Sequence, residues 1–295
     1  MNIFRKALRK LIHILGENRI ITPMSTMTLL HAAELGRLPD LKNPKDFNEK
    51  IIWMEFNVDT SMWSQLADKY NVRNYVAEKG LKNILIPDIG VYVNPEDIDF
   101  ESLPQSFVIK STNGCGQIII VNDKDKLNIS KTIDEIKNWE RTKFGYSSGE
   151  KHYLSIPFRI IIESLLPLKN QNLPIDYKFY CFNGEVKYCL VVSERIIKGG
   201  TYLLNLFSLP EWEEINDAIY PEYKGNGKTI LKPLLLDEMI KTASVLSRGF
   251  PFVRVDLYEV NGKIYFGEMT FTPAGGRKPY MPKEFLLKLG ELIQI

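Results

Sequence analysis

The 295-residue chain is predicted to form an α+β fold in which strands pair as antiparallel hairpins. Two apolar segments turn back at Asn-Gly dipeptides, Asn183-Gly184 and Asn261-Gly262, which are strong signals for tight hairpin turns. A third pair of apolar segments flanks a loop of small residues at 111–116. Helical patterns do not alternate regularly with these strands, so a series of βαβ units is not predicted. No G-x-G-x-x-G motif supports a dinucleotide-binding fold either.

The composition argues against several classes of function. Hydrophobic residues make up 44% of the chain, which is enough for one large domain or two modest ones. The net charge of +2 gives no electrostatic reason to expect nucleic acid as a partner. Three cysteines, Cys115, Cys181 and Cys189, lack C-x-x-C spacing, which favours a reducing, cytoplasmic location. No apolar run approaches the roughly 20 residues of a membrane span.

The N-terminal segment 2–15 has the pattern of an amphipathic helix. Basic residues lie beside its apolar stripe, whose members are Phe4, Leu8, Leu11, Ile12 and Leu15. We expect this helix to pack on the domain as a cap. The alternative is a peripheral contact of residues 1–16 with an anionic membrane, at the inner face of the cell membrane.

The elements after this segment are irregularly ordered. Asn48 or Asp46 is expected to cap a short helix that extends through Trp53, and a second helix is expected to span 64–79 and end at Gly80. The segment NILIPDIGVYV is strand-like, and its proline indicates an edge strand. Further strands are predicted in SFVIK, QIIIV, FRIIIESLL and IDYKFYCFNGEVKYCLVVSER, and further helices at 131–141 and 233–247.

The hairpin around Asn261-Gly262 carries charged residues within its strands. Arg254 and Asp256 alternate with apolar residues in the first strand, and the return strand ends in Glu268. A two-residue turn would send Glu268 to the face opposite Asp256. A three-residue loop pairs Asp256 with Phe266 instead. It then places Arg254 and both carboxylates on one face, with the carboxylates on a diagonal of roughly 7–8 Å. We expect the three-residue loop.

Two carboxylates in this arrangement can bind a hard cation. Mg²⁺ accepts one or two carboxylates at about 2.0–2.1 Å and completes its octahedron with phosphate oxygens and water. Arg254 beside them can contact a developing anion. The alternative is a solvated hairpin face with an Arg–Glu pair across the strands. The hairpin alone leaves both readings open: a magnesium site formed by Asp256 and Glu268, or a solvated face.

Lys110 ends an apolar strand and is followed by the loop Ser-Thr-Asn-Gly-Cys-Gly. A glycine loop presents backbone N–H groups without obstruction by side chains, and a neighbouring lysine adds a point charge, as polyphosphate binding requires. The G-K-[ST] order of a Walker loop is absent. An ordinary hairpin loop is the alternative. The segment favours phosphate binding by Lys110 and its loop.

The order of these motifs resembles the ATP-grasp superfamily. Its pattern R-x-D, E-x-[polar] and P-x-G occurs here as RVD at 254–256, EMT at 268–270 and PAG at 273–275. Longer phrases resemble the TupA-like family, the teichuronopeptide-biosynthesis type of ATP-grasp protein: NPKDFNEKIIW, LADKYNVRNYV, DYKFYCFNG, FVRVDLY and GEMTFTPAGG. The superfamily usually has Asn at the position of Thr270, whereas the TupA-like family has Thr there.

The resemblance implies an ATP-grasp fold, in which two α+β subdomains grip ATP after a helical N-terminal segment. The implied divisions of the chain are a helical segment or cap at 1–65, a subdomain with the phosphate loop at 66–160, and a subdomain with the metal-binding hairpin at 161–295.

The resemblance also implies an ATP-binding set. Lys110 matches the lysine that bridges adenine and the α- and β-phosphates, and Glu163 matches the hinge carboxylate beside adenine. Arg73 takes the place of the phosphate-contacting lysine that ends D-K-x-x-x-K. Asp176 sits where the family often has an acid for the ribose hydroxyls. The complete set is Arg73, Lys110, Asn113, Gly114, Gly116, Glu163, Asp176 and Lys178.

The implied metal ligands and reacting groups lie mostly near the C-terminus. The Mg²⁺ ligands are Asp256, Glu268 and Thr270. An arginine and backbone N–H groups of two glycines stabilise the oxyanion, and a second arginine contacts the γ-phosphate or the acyl group. These catalytic residues are Arg254, Gly275, Gly276 and Arg195.

The activity implied by the resemblance is that of an ATP-dependent carboxylate–amine ligase. ATP phosphorylates the carboxylate of a uronic acid in a bacterial capsule, O-antigen or cell-wall polysaccharide, and an amino acid or other amine attacks the acyl phosphate. Positioning and charge neutralisation supply the catalysis. Three alternatives stay open: a kinase acting on a sugar hydroxyl, a glycosyltransferase that uses a nucleotide sugar and a metal, and a non-catalytic scaffold of a polymer-export complex.

Overall fold

The structure is a computed structural model that describes residues 3–167, 174–193, 203–225 and 230–295. Within these ranges the helices are α1 (Ile3–Glu17), α2 (Pro23–Leu35), α3 (Phe47–Asn57), α4 (Ser61–Ala67), α5 (Val72–Glu78), α6 (Ile129–Arg141), α7 (Phe144–Ser148), α8 (Leu236–Ser247) and α9 (Lys283–Glu291). The strands are β1 (Asp88–Tyr92), β2 (Phe107–Ser111), β3 (Ile118–Val121), β4 (Ile160–Ser164), β5 (Asp176–Phe182), β6 (Glu185–Ser193), β7 (Leu203–Ser208), β8 (Glu213–Glu214), β9 (Val253–Val260) and β10 (Lys263–Thr270).

The strands form two antiparallel sheets. In the described part of the chain, one sheet has the order β1-β4-β2-β3 and the other has the order β10-β9-β5-β6-β7-β8. Every neighbouring pair of strands runs antiparallel. The predicted α+β fold class, with antiparallel hairpins and helices at the N-terminus, is therefore confirmed. Among the described helices, none has the length and apolarity that crossing a bilayer requires.

Each sheet has its own hydrophobic core. In the four-stranded sheet, Ile109, Ile160 and Ile162 pack together with Ile136 and Trp139 of α6. The core of the six-stranded sheet is larger and includes apolar residues of α3, α4, α5, α8 and α9. α8 begins at Leu236, three residues later than predicted, and packs on β5, β6 and β9. Strand β1 lies at the edge of its sheet, as its neighbouring proline predicted.

The predicted single helix at 64–79 is wrong, because the chain forms two short helices, α4 and α5, with a turn between them. Asp68 causes the break. Its Oδ1 accepts the backbone N–H groups of Tyr70 at 2.9 Å and Asn71 at 3.2 Å, which competes with helical bonding. Arg159 donates to its other carboxylate oxygen. As a consequence Lys69 lies in the turn rather than on a helix face.

The cap of α3 is Asp46 rather than Asn48. The Asp46 carboxylate accepts the N–H of Glu49 at 3.0 Å, and the Glu49 carboxylate accepts the N–H of Asp46 at 3.2 Å. This reciprocal pair is a capping box, which satisfies two otherwise unpaired donors at the start of the helix.

Helix α1 packs on α2 and α7 through one face. Its residues Leu8 and Ile12 contact Leu30 and Ala33 of α2. His13 Nδ1 lies 2.7 Å from the carbonyl oxygen of Ser147 in α7. A Cβ at Gly16 would lie 2.5 Å from the carbonyl oxygen of Tyr146, so the backbones approach closely there. The helix is therefore held against the domain along much of its length.

A buried carboxylate–histidine contact joins α3 to the short 3-10 segment Lys151–Ser155. Glu55 is fully buried, and its Oε1 accepts the backbone N–H of His152 at 3.0 Å. Its Oε2 lies 2.9 Å from His152 Nδ1, within ion-pair distance. The Glu55 carboxylate thus anchors the segment Lys151–Ser155 to the larger core.

Candidate active site

The register of the β9–β10 hairpin decides which side chains share a face. The turn has two residues, Asn261 and Gly262, with φ of 52° and 70°, so the predicted three-residue loop is wrong. Phe266 lies opposite Leu257 rather than Asp256. A bulge at Gly267 then shifts the register by one residue, so that Glu268 lies directly opposite Asp256. The predicted common face therefore exists, but the carboxylates are a direct pair rather than a diagonal one.

Arg254 is hydrogen-bonded to the Asp256, Glu268 and Thr270 side chains on this face. Its Nε donates to Asp256 Oδ1 at 2.6 Å, and its Nη2 donates to Asp256 Oδ2 at 2.7 Å and to Glu268 Oε1 at 2.8 Å. The same Nη2 lies 3.0 Å from the Thr270 hydroxyl, which donates to Glu268 Oε1 at 3.0 Å. The planar fork fixes both carboxylates through charge-assisted hydrogen bonds.

The two carboxylates differ in their access to solvent. The side chain of Asp256 is 1% exposed, whereas that of Glu268 is 45% exposed. Glu268 Oε2 accepts no hydrogen bond from any described residue. Burial opposes the charge of Glu268, but Arg254, Lys178 and Lys69 outweigh it and lower the pKa of Glu268 to about 2. Glu268 is therefore an ionised, accessible carboxylate at neutral pH.

Strand β5 adds a lysine to the same face. Lys178 lies opposite Asp256 in the sheet. Its ammonium group contacts the Asp256 carboxylate and lies 2.6 Å from Asp176 Oδ2. Burial opposes its charge, yet Asp176 and Asp256 together raise the pKa of Lys178. The Asp176 carboxylate is paired with Lys178. Its predicted contact with the ribose hydroxyls stays a prediction.

A second group of charged side chains lies on the four-stranded sheet. The Glu163 carboxylate, at the end of β4, accepts hydrogen bonds from Lys110 Nζ at 2.6 Å and from Arg73 Nη1 at 3.2 Å. Arg73 Nη2 also donates to Asp88 Oδ1 at 2.7 Å. The structure thus brings together Arg73, Lys110 and Glu163, which are separated by up to 90 positions in the sequence.

Lys69 and the loop after Lys110 connect the two groups. Lys69 Nζ donates to the carbonyl oxygen of Gly114 at 2.6 Å. Burial lowers the pKa of Lys69, and the charges of Glu268 and Glu163 oppose that lowering. Lys69 therefore lies within electrostatic range of both carboxylate groups. In the loop Gly116 has a φ of 76°, a left-handed conformation that favours glycine.

Gly275 and Gly276 shape the turn after the hairpin. Both have positive φ, 57° and 63°, and Gly275 N–H donates to the Thr272 carbonyl oxygen at 2.7 Å. A Cβ at Gly276 would lie 2.7 Å from Cγ1 of Ile52 in α3. Their contact with an oxyanion stays a prediction. Arg195, the other catalytic arginine predicted, lies outside the described residues.

Sequence reasoning missed an acidic group beside the hairpin. Glu150 accepts a hydrogen bond from the Thr272 hydroxyl, two residues after Thr270. Burial raises the pKa of Glu150. Arg277 Nη1 donates to the carbonyl oxygens of Ser148 and Gly275, at 3.2 and 3.3 Å. Glu150 reaches the site from more than 100 positions away in a segment without a motif, so the sequence carried no signal for it.

Lys278 was also missed, and it is fully buried. Its ammonium group donates to the hydroxyls of Tyr180 at 2.7 Å and Tyr280 at 3.2 Å. It lies over the rings of both tyrosines and of Phe47. Burial lowers its pKa well below the ordinary value for lysine, and the charge of Arg254 lowers it further. Lys278 therefore lies near Arg254, which is paired in the sheet with its hydrogen-bond partner Tyr180.

A family model described as TupA-like ATPgrasp matches residues 49–294. The chain belongs to this family. The resemblance drawn from its motifs is thereby confirmed, and the ATP-grasp fold with it. A search of curated protein sequences finds no match.

Solved structures with similar folds include three ligases. D-alanine–D-alanine ligase from Bacillus anthracis, complexed with ATP, has a TM-score of 0.48 and 16% identity over 78% of this chain and 65% of that one. The ATP-grasp ligase PsnB with minimal precursor, Mg and ADP has a TM-score of 0.38 and 12% identity over 76% and 57%. Phosphoribosylamine–glycine ligase from Thermotoga maritima has a TM-score of 0.39 and 13% identity over 73% and 52%. The chain thus spans about two thirds or less of each.

Replacing Lys110 with alanine is expected to weaken ATP binding by about 10- to 150-fold, since a charge-assisted contact contributes on the order of 1.5–3 kcal/mol. Isothermal titration calorimetry with a non-hydrolysable ATP analogue measures this affinity. Lys137→Ala is the matched control, because Lys137 of α6 is another paired lysine and is bound to Glu96. Equal affinity of Lys110→Ala and wild type would remove Lys110 from the site.

The lowered pKa of Glu268 predicts a pH-dependent stability. A carboxylate whose pKa falls on folding stabilises the protein above its unfolded pKa and loses that contribution as pH falls through the folded pKa. The advantage of wild type over Glu268→Gln in unfolding free energy should therefore shrink between pH 4.5 and about 2. Salt should reduce the advantage, because the side chain is partly exposed. Urea titrations across this range measure it, and a constant difference between the proteins would contradict it.

Proposed function

We propose that the protein is an ATP-dependent carboxylate–amine ligase. The observation that carries this proposal is the arginine fork, in which Arg254 holds Asp256, Glu268 and Thr270 in one hydrogen-bonded unit. A permanent cation beside paired carboxylates suits the binding of a metal and of a developing oxyanion at neighbouring points. Membership of the ATP-grasp family supports ATP as the phosphoryl donor.

The nucleotide would bind between the two charged groups. Lys110 and Arg73 offer cations for its phosphates beside the loop, and Lys69 offers a third. Glu163, at the end of β4, accepts hydrogen bonds from both Lys110 and Arg73. This place beside the proposed phosphate-binding cations supports a hinge contact of Glu163 with adenine. Of the proposed loop residues Asn113, Gly114 and Gly116, Gly114 contacts Lys69 through its carbonyl oxygen. The backbone N–H groups of the loop are the proposed phosphate donors.

Mg²⁺ is implied by the family, and the donor set fits it. Asp256 and Glu268 offer carboxylate oxygens and Thr270 a hydroxyl, as expected for a metal that takes one or two carboxylates. Within the described residues, no group of three or more His, Cys, Asp and Glu side chains forms a dedicated cage. A bound Mg²⁺ would neutralise charge on the transferred phosphoryl group.

The proposed reaction has two steps. A carboxylate oxygen of the acceptor attacks the γ-phosphorus of ATP, the bond to the β–γ bridging oxygen breaks, and ADP leaves. The amine nitrogen then attacks the acyl carbon, an amide forms, phosphate leaves and the nitrogen loses a proton. Arg254 stabilises the tetrahedral oxyanion of the second step. A uronic acid of a capsule, O-antigen or cell-wall polysaccharide is the proposed carboxylate, and an amino acid or other amine the proposed nucleophile.

A sugar kinase is the second candidate, and Glu150 is the observation that favours it. A hydroxyl nucleophile requires a base near the γ-phosphate, and Glu150 is a carboxylate beside the hairpin whose pKa is raised by burial. Glu150 also serves a ligase, since it can accept the proton that the attacking amine loses. Either reaction consumes ATP, so we place the protein in the cytoplasm, where ATP is supplied.

Trapping with hydroxylamine tests the reaction type. With ATP, Mg²⁺ and a uronic-acid acceptor, a ligase gives a hydroxamate and releases ADP and phosphate in equal amounts. The Glu268→Gln protein is the matched control, because contaminating enzymes would act equally in both preparations. A stable phosphorylated sugar with little free phosphate would establish the kinase instead. Acceptors across uronic acids and lipid-linked fragments must be included, since each presents the carboxylate differently.

A further inference from the structure

Helix α1 leaves part of its apolar surface uncovered. Its inner face contacts α2 and α7 through Leu8, Ile12 and Gly16. Leu11 and Ile14 point the other way, with exposed fractions of 52% and 44%. Phe4, about two turns before Leu11, is 71% exposed. Residues spaced by three, four and seven positions lie on one helical face, so the three side chains form an outer apolar stripe.

Basic side chains border this stripe. Lys6 and Lys10 are exposed and lie one turn apart along its edge, and Arg5 is exposed as well. Glu17 is the one acidic residue in the α1 sequence IFRKALRKLIHILGE. The outer face therefore combines apolar side chains in the middle with positive charge at its margin.

We propose that this outer face of α1, formed by Phe4, Leu11 and Ile14 with Lys6 and Lys10, binds the surface of a membrane that contains anionic lipids. The apolar stripe would enter the boundary between headgroups and acyl chains, and the lysines would reach lipid phosphates from its edge. Charge complementarity selects this occupant over an apolar protein groove, because a basic margin gains most from a negatively charged surface.

The packing of α1 defines how the helix would lie. His13 and Gly16 hold the inner face against α7 and its neighbours, so the helix docks together with the domain rather than detaching from it. Only the outer face is then presented, which makes the contact shallow and reversible. Binding is independent of ATP and of the reaction, so its failure and the failure of the ligase proposal are separate results.

Vesicle sedimentation of the full chain tests the proposal. The protein is expected to sediment with phosphatidylcholine vesicles that contain phosphatidylglycerol, and much less with phosphatidylcholine alone. Lys6→Gln with Lys10→Gln should weaken binding about 30-fold, since each lysine near an anionic surface contributes about 1 kcal/mol. Leu11→Ser with Ile14→Ser should weaken it about tenfold or more through lost apolar contact.

The matched control changes the same residue types elsewhere. Leu234 is 90% exposed and the Lys126 side chain is 84% exposed, so Leu234→Ser with Lys126→Gln should bind vesicles like wild type. Melting temperatures of all variants should agree, because every changed side chain is exposed. Failure of the wild type to bind anionic vesicles would overturn the proposal, as would equal binding by the α1 variants. A wild-type dimer that Leu11→Ser with Ile14→Ser makes monomeric would assign the face to a second copy instead.

Discussion

Asp256→Asn and Glu268→Gln are each expected to lower ATP turnover by about 10²- to 10³-fold, the loss typical when one electrostatic partner of a transferred charge is removed. Each amide keeps the shape of the acid and removes one negative charge. The metal then loses a ligand, and the Arg254 fork loses a partner for its charge. Release of phosphate at saturating Mg²⁺ measures the effect.

A control on the same strand separates chemistry from folding. Glu259 lies in β9 three residues after Asp256, and its Oε2 accepts the N–H of Leu235 at the start of α8. Alternation places it on the opposite face of the strand. Glu259→Gln should therefore keep wild-type turnover while making the same chemical change. The metal assignment fails if either Asp256→Asn or Glu268→Gln retains near wild-type turnover.

Glu55→Leu is expected to lower the free energy of unfolding by about 2–6 kcal/mol, because two buried donors each lose an acceptor at a cost of about 1–3 kcal/mol. Glu55 and His152 are both buried, and the carboxylate accepts the backbone N–H of His152 as well as facing its ring. After substitution these groups lie in the core without an acceptor. Urea denaturation followed by circular dichroism measures the loss.

Two comparisons make this result specific. Glu55→Leu with His152→Leu should recover part of the loss, because replacing both partners of a buried polar contact by apolar side chains removes the unsatisfied ring donor. Glu185→Ala removes a partner from the exposed pair with Lys187 and should cost less than about 1 kcal/mol. A loss after Glu55→Leu as small as that after Glu185→Ala would show that the buried pair contributes little.

Local patterns predicted eight of the ten described strands, because period-two alternation and Asn-Gly turns depend on neighbouring residues. Strands β7 and β8 were not predicted. The hairpin register was harder. Neither a two-residue nor a three-residue turn at Asn261-Gly262 predicts the bulge at Gly267. A bulge arises from pairing across strands, which the order of residues in one strand does not encode. The break between α4 and α5 was missed for a related reason, since the Asp68 carboxylate binds backbone that periodicity treats as helical.

The candidate site was predictable where a motif marked it. Arg73, Lys110 and Glu163 each occupy a motif position, and the structure joins them through one carboxylate. Glu150 and Lys278 are different, because each acts through contacts with residues remote in sequence. Burial is what distinguishes these two residues from ordinary surface charges, and burial follows from the fold rather than from the residue type.

At the proposed nucleotide site, the charged side chains of the two groups also determine how binding should respond to salt. Arg73, Lys110, Lys178 and Arg254 each lie against a carboxylate of the chain itself. An arriving phosphate therefore competes with these built-in counterions, and binding is an exchange of one anion for another. The phosphate displaces these carboxylates rather than mobile salt anions. Added salt therefore competes only weakly with the phosphate. The affinity for ATP should depend on ionic strength less steeply than at a site whose cations face water.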